Sequence, residues 1–170
     1  LSLMRVAGVS PETLQASDIS FQLAPRLNAA GRLTSAKYAL ELLLEEDVHR
    51  SGRLAQEIEL FNNRRKELMQ DMRSKAEEIA VPDDSVPPML FAFHPDFNQG
   101  IVGLAAGYLS EKYHRPAVVG KDEGEVIVAS CRSIDGFNIV EALDHHRDLF
   151  QQYGGHPAAA GFTIENQHIP

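Results

Sequence analysis

The chain has 170 residues, 44% of them hydrophobic, with a formal net charge of −8, one cysteine and no tryptophan. That composition suits one substantial core or two small ones and excludes a disordered or low-complexity chain. The charge argues against whole-surface binding to nucleic acid, which needs many Lys and Arg to displace condensed counterions, and leaves room only for a local basic groove.

The longest apolar runs, Met89 to Phe93 and Ile101 to Ala106, fall far short of the roughly 20 residues that cross a bilayer. Residue 1 is Leu and no basic start leads into an apolar stretch, so the chain reads as a fragment of a larger protein. A lone Cys131 forms no intrachain disulfide, and the reducing cytoplasm is the default compartment. No feature fixes an oligomeric state, and a monomer is expected.

In chain order, residues 1–47 read as short helices divided by Gly and Pro. Ser10 ahead of Pro11 marks a helix start, and Ala36, Ala39, Leu40 and Leu43 fall at helical spacing within Thr34 to Glu46. Asp47 is placed to cap a much longer helix over 48–80, with Leu54, Ile58, Phe61, Leu68, Met72 and Ile79 on one seam. Arg65 and Lys75 interrupt that seam, which weakens the coiled-coil alternative and favours a helix bridging two domains. Residues 81–88, with three prolines, read as a linker.

From Met89 the pattern alternates. Strands are expected over Met89 to His94, Ala117 to Gly120, Glu125 to Ser130 and Ala160 to Ile164. Helices are expected over Gly100 to Tyr113 and, for the most part, over Asn138 to Tyr153. Lys121-Asp122-Glu123-Gly124 suggests a hairpin. The fold class expected is α/β: an N-terminal helical segment and a long connector helix, then a small α/β domain (89–170) whose mixed, mostly parallel sheet is flanked by helices.

The unusual polar residues gather at strand ends, where α/β sheets build ligand sites. Gly154-Gly155-His156 followed by Pro157-Ala158-Ala159-Ala160-Gly161 suits an anion, with glycine N–H groups left uncovered and a histidine donor beside them. A glycine helix cap leading into a packed Ala strand is the alternative. Ser130-Cys131-Arg132-Ser133 offers two hydroxyls and a guanidinium able to hold phosphate bidentately. Asp144-His145-His146 reads as a surface helix segment, because consecutive helical residues point about 100° apart and do not converge on one metal. His94 and Asp96 are too few for a metal site.

Several motifs, taken in order, resemble the DHH phosphoesterase superfamily and, within it, the RecJ family of single-stranded-DNA-specific exonucleases. They are Ala24-Pro25-Arg26-Leu27-Asn28-Ala29-Ala30-Gly31-Arg32, the long helix with Asn62 and Arg65, Gly100-Ile101-Val102-Gly103, Glu111 to Pro116, Ser130 to Phe137, and Gly154-Gly155-His156 with Ala159-Ala160-Gly161. The resemblance implies that 1–47 is the tail of the catalytic DHH domain, 48–80 the connector and 89–170 the DHH-associated domain.

It also implies 5′-to-3′ hydrolysis of single-stranded DNA by Mn²⁺ or Mg²⁺ held outside this chain, so that the fragment alone is inactive. His156 is the implied catalytic residue. The implied phosphate and strand contacts are Arg132, Ser130, Ser133, Asn138, Gly154, Gly155, Asn28 and Arg32, facing a missing N-terminal metal domain. The same Gly-Gly-His run fits a phosphodiesterase of short oligonucleotides or cyclic dinucleotides, and a stand-alone nucleic-acid-binding module is a third reading. Two departures are Phe97-Asn98, where the family commonly has Trp-His, and Cys131. Phe97 is expected to pack and Cys131 to be buried.

Overall fold

The computed structural model describes residues 1–83 and 85–169. The expected linker over 81–88 includes Asp84, and the expected second domain ends on Pro170; both residues lie outside that set. The chain divides into two compact units, Leu1–Leu68 and Met69–Pro170.

The first unit is helical: α1 (Ser2–Ala7), a 3-10 turn Pro11–Thr13, a short α2 (Ala16–Asp18) running through one π-helical turn into α3 (Ala24–Leu33), α4 (Lys37–Leu44), and the start of α5 (Val48–Ala80). Asp47 starts α5 as expected, its Oδ1 accepting the Arg50 N–H at 2.6 Å. Leu42, Leu54, Ala55 and Ile58 form the core, with Leu27 and Ala39 against it. Arg26 is buried and paired with Glu59 (2.5 Å), and it also donates to the Gln22 carbonyl. Its side chain therefore holds α3 to α5.

The buried stripe of α5 differs slightly from the expected seam. Asn62, Met69, Met72 and Ala76 are buried while Leu68 is only partly so. Arg65 sits beside the stripe with its Nη2 donating to Asn62 Oδ1 at 3.0 Å, while the buried Asn62 Nδ2 finds no hydrogen-bond partner among the described residues.

The second unit takes the last turns of α5 and a five-stranded sheet in the order β1-β2-β3-β5-β4. The strands are β1 (Leu90–His94), β2 (Ala117–Asp122), β3 (Val126–Arg132), β4 (Phe150–His156) and β5 (Ala159–Glu165), with α6 (Val102–Tyr113) and α7 (Ile139–Asp144) between them. The sheet is mixed, but the expectation that it is mostly parallel is overturned: only β1 and β2 run parallel, and the other three pairings are antiparallel. The helix expected over Asn138 to Tyr153 is also corrected. It stops at Asp144, and Phe150–His156 is an edge strand with a bulge between Phe150 and Gln152.

Two faces result. On one, α7 covers Val118, Ile127, Ala129, Cys131, Ala160, Phe162 and Ile164, a core sealed by Ile139 and Leu143. On the other, α6 packs over β2 and β3, and the small-residue ends of β4 and β5 share that face. The C-terminal part of α5 joins this unit through Glu77, which accepts hydrogen bonds from Tyr108 (3.1 Å), Tyr113 and Lys112 of α6. Arg73 stacks 4.6 Å over the Tyr108 ring. No helix among the described residues is long and apolar enough to cross a membrane.

A candidate phosphate-binding face

Strand register brings the sequence-predicted residues together. Arg132 pairs with Ala159, which pairs with His156; one row along, Ser130 pairs with Gly161, which pairs with Gly154. Directly paired residues of an antiparallel ladder project to the same side, so Arg132, Ser130 and His156 share the α6 face. Two strand spacings separate Arg132 from His156, about 10 Å. Between them Ala159 offers a methyl and Gly161 and Gly154 offer no side chain, so an anion above this shelf can be reached from both sides.

The shelf is held from below and behind. Cys131, on the opposite face between Ser130 and Arg132, is fully buried, and burial pushes its thiol up to about 12. The hairpin turn Pro157-Ala158 is tied down by two N–H donors, Ser133 to Ala158 O (2.9 Å) and Ile139 to Pro157 O (3.1 Å). Arg132 Nη1 donates to the Cys131 carbonyl at 2.8 Å, which fixes the guanidinium against its own strand.

Gly-Gly-His is thus the end of a strand rather than a turn. Gly155 has φ +152°, and a Cβ there would stand 2.4 Å from Ala159 O; only glycine fits such an approach. Consecutive N–H groups along a strand point to opposite edges, so Gly154 and Gly155 do not aim both N–H groups at one ligand.

Ser133 and Asn138 sit off the shelf. They line, with Pro157 and Ala158, a neighbouring groove of about 850 Å³. The Ser133 hydroxyl donates to Phe137 O at 2.5 Å, and Asn138 Oδ1 caps α7 by accepting from Val140 and Glu141 N–H (3.2 and 3.3 Å). Asn28 and Arg32 lie on α3 in the first unit.

Asp144, His145 and His146 are exposed at the end of α7, where Asp144 accepts from the Tyr153 hydroxyl at 2.8 Å. Among the described residues no three His, Cys, Asp or Glu side chains gather to hold a metal ion, so they do not fit a divalent-metal site. Phe97 is buried against His94, with ring centroids 5.5 Å apart. The glycine at 103 stands against Ser130 and Arg132. Its presence in the Gly-Ile-Val-Gly run was visible in sequence, but its contact was not.

The DHHA1 domain model matches residues 87–170, the part of the chain that carries this sheet and this face. Over nearly its whole length the chain is related to the RecJ exonucleases. It is 35% identical over 173 residues to the single-stranded-DNA-specific exonuclease RecJ of Salmonella typhimurium, covering 96% of this chain and 30% of the relative. To RecJ of Bacillus subtilis it is 36% identical over 170 residues, covering 99% of this chain and 22% of the relative.

Among solved structures, it superposes on RecJ in complex with Mn²⁺ from Thermus thermophilus with a TM-score of 0.86 and 32% identity, covering 97% of this chain and 24% of that one. The chain therefore spans less than a third of the curated relatives just described.

Proposed function

We propose that this chain is part of a metal-dependent single-stranded-DNA exonuclease of the RecJ type, working 5′ to 3′ in DNA repair and recombination in the cytoplasm. On this reading 1–47 is the tail of the catalytic DHH domain, 48–80 the connector, 81–88 a linker and 89–170 the DHHA1 domain. The divalent ion, Mn²⁺ or Mg²⁺, supplies water activation and charge neutralisation and is held by parts of the enzyme outside these residues.

The observation that carries the reading is the row of Arg132, Ala159 and His156 beside Ser130, Gly161 and Gly154 on one sheet face, bordered by α6 at β3 and exposed at β4. Arg132 grips a backbone phosphate with its fork of N–H donors, and the Ser130 hydroxyl adds a third contact. His156 donates to an oxygen of the phosphate under attack, where negative charge grows in the transition state. Ser133, Asn138, Gly154 and Gly155 shape the same end of the domain, and Asn28 and Arg32 are retained as strand contacts of the first unit.

The test is His156→Ala in the full-length enzyme. Removing one donor to a developing oxyanion costs on the order of 100-fold in turnover, and metal content and unfolding midpoint should match wild type. Unchanged turnover would remove His156 from the mechanism. Digestion of single strands by the 170-residue chain alone would remove the division of labour.

A further inference from the structure

We propose that Gly103 is a positioning residue for Arg132: the bare backbone of the first turn of α6 is the surface against which the phosphate-gripping guanidinium is set. This rests on the reading of Arg132 as a phosphate anchor. A Cβ added at 103 would stand 3.2 Å from Arg132 Nη2, 3.4 Å from Ser130 Oγ and 3.5 Å from Ser130 Cβ. Only the Arg132 approach is tighter than an ordinary van der Waals contact, so a side chain there pushes on the guanidinium and merely touches Ser130.

The guanidinium has little freedom to give way. Its Nη1 is already committed to the Cys131 carbonyl at 2.8 Å, so the fork lies between its own strand and the helix. With glycine at 103, α6 closes on β3 and Arg132 lies along it. With a methyl at 103, the fork moves by a few tenths of an ångström and its two outward N–H directions turn with it, which is enough to spoil a bidentate contact.

Gly107 provides a matched control. It lies one turn further along α6, and a Cβ there meets nothing within 4 Å. Both Gly→Ala changes raise helix propensity, and only the one at 103 touches Arg132.

The experiment measures single-stranded oligonucleotide binding by the full-length protein for wild type, Gly103→Ala, Gly107→Ala, Arg132→Ala and the double variant Gly103→Ala/Arg132→Ala, with melting curves for each. Gly103→Ala is expected to weaken binding by roughly three- to tenfold with a melting midpoint at or above wild type, and to have no further effect once Arg132 is absent, as coupled neighbours do. Gly107→Ala is expected to bind as wild type.

Undiminished affinity in Gly103→Ala overturns the proposal. So does an equal loss in the Arg132→Ala background, or a lowered midpoint, which would make Gly103 a packing residue only. If Arg132→Ala itself binds as tightly as wild type, the phosphate-anchor reading fails and this inference falls with it. If Arg132→Ala weakens binding and Gly103→Ala does not, only the inference falls.

Discussion

Replacing Gly155 by alanine tests the geometry of the shelf at its tightest point. The added Cβ would lie 2.4 Å from Ala159 O, 2.5 Å from Ala160 Cα and 2.9 Å from Ala160 Cβ. Two of these are backbone atoms of the paired strand, so no rotamer change relieves them. The φ of +152° adds backbone strain of roughly 1–3 kcal/mol, and overpacking adds about 1–3 kcal/mol more. A mid-range loss of about 4 kcal/mol is a large share of a typical total of roughly 5–15 kcal/mol. At about 2–4 °C per kcal/mol for a protein of this size, the thermal midpoint should fall by roughly 8–16 °C. Gly154→Ala is the internal control, because its Cβ meets nothing within 4 Å, and its midpoint should stay within about 2 °C of wild type. Circular dichroism melting of both variants decides the matter. A Gly155→Ala midpoint within about 2 °C of wild type, or equal losses for the two, would refute the strand register that defines the shelf.

The Glu77 carboxyl is held below its usual 4.5 by hydrogen bonds from Lys112 and Tyr113. It should contribute stability above about pH 4.5 that is lost as pH falls through the lowered value. Glu77→Gln should flatten that acid limb in a pH series of melting midpoints, and an unchanged limb would contradict the α5–α6 contact. At the alkaline end Tyr113, raised above 10 by the same carboxylate, should add stability that is complete below pH 10 and lost as pH rises through the raised value. Cys131, buried and pushed up to about 12, should resist an aromatic disulfide reagent at pH 8 until denaturant is added; full labelling of native protein within minutes would contradict its burial. Asn138→Ala should cost about 1 kcal/mol by removing the cap of α7, and Asn138→Asp should recover most of it in urea unfolding. Equal stability of all three proteins would show the cap to be idle.

Periodic segments were readable in the sequence, and segments defined by partners were not. The long α5, the strands around Phe91, Val119 and Val128, and the hairpin at Gly124 follow from apolar spacing and turn residues. β4 was missed because an edge strand carrying Gln151, Gln152, Gly154 and Gly155 has no apolar alternation, and its two half-buried anchors, Phe150 and Tyr153, are displaced by the bulge. The preference for parallel strands failed because alternating elements imply crossovers, while β3 to β5 is joined through α7 and a returning hairpin. The residue types of the site were visible as Ser130, Arg132 and His156. Their meeting on one face depends on the register of β3, β5 and β4, which local spacing does not encode. Asn138 entered as a phosphate contact through the resemblance alone; its amide oxygen caps α7 by accepting from the N–H groups of Val140 and Glu141, a role that only the fold reveals.

The claim that this face holds the sugar-phosphate backbone is tested most directly by the salt dependence of single-stranded DNA binding in full-length protein carrying Arg132→Ala. Each phosphate contact on a single strand contributes about 0.7 to the slope of log affinity against log salt. The variant should bind more weakly, with a slope shallower by roughly 0.7, and its difference from wild type should shrink as salt rises. Wild-type affinity with an unchanged slope would contradict the claim.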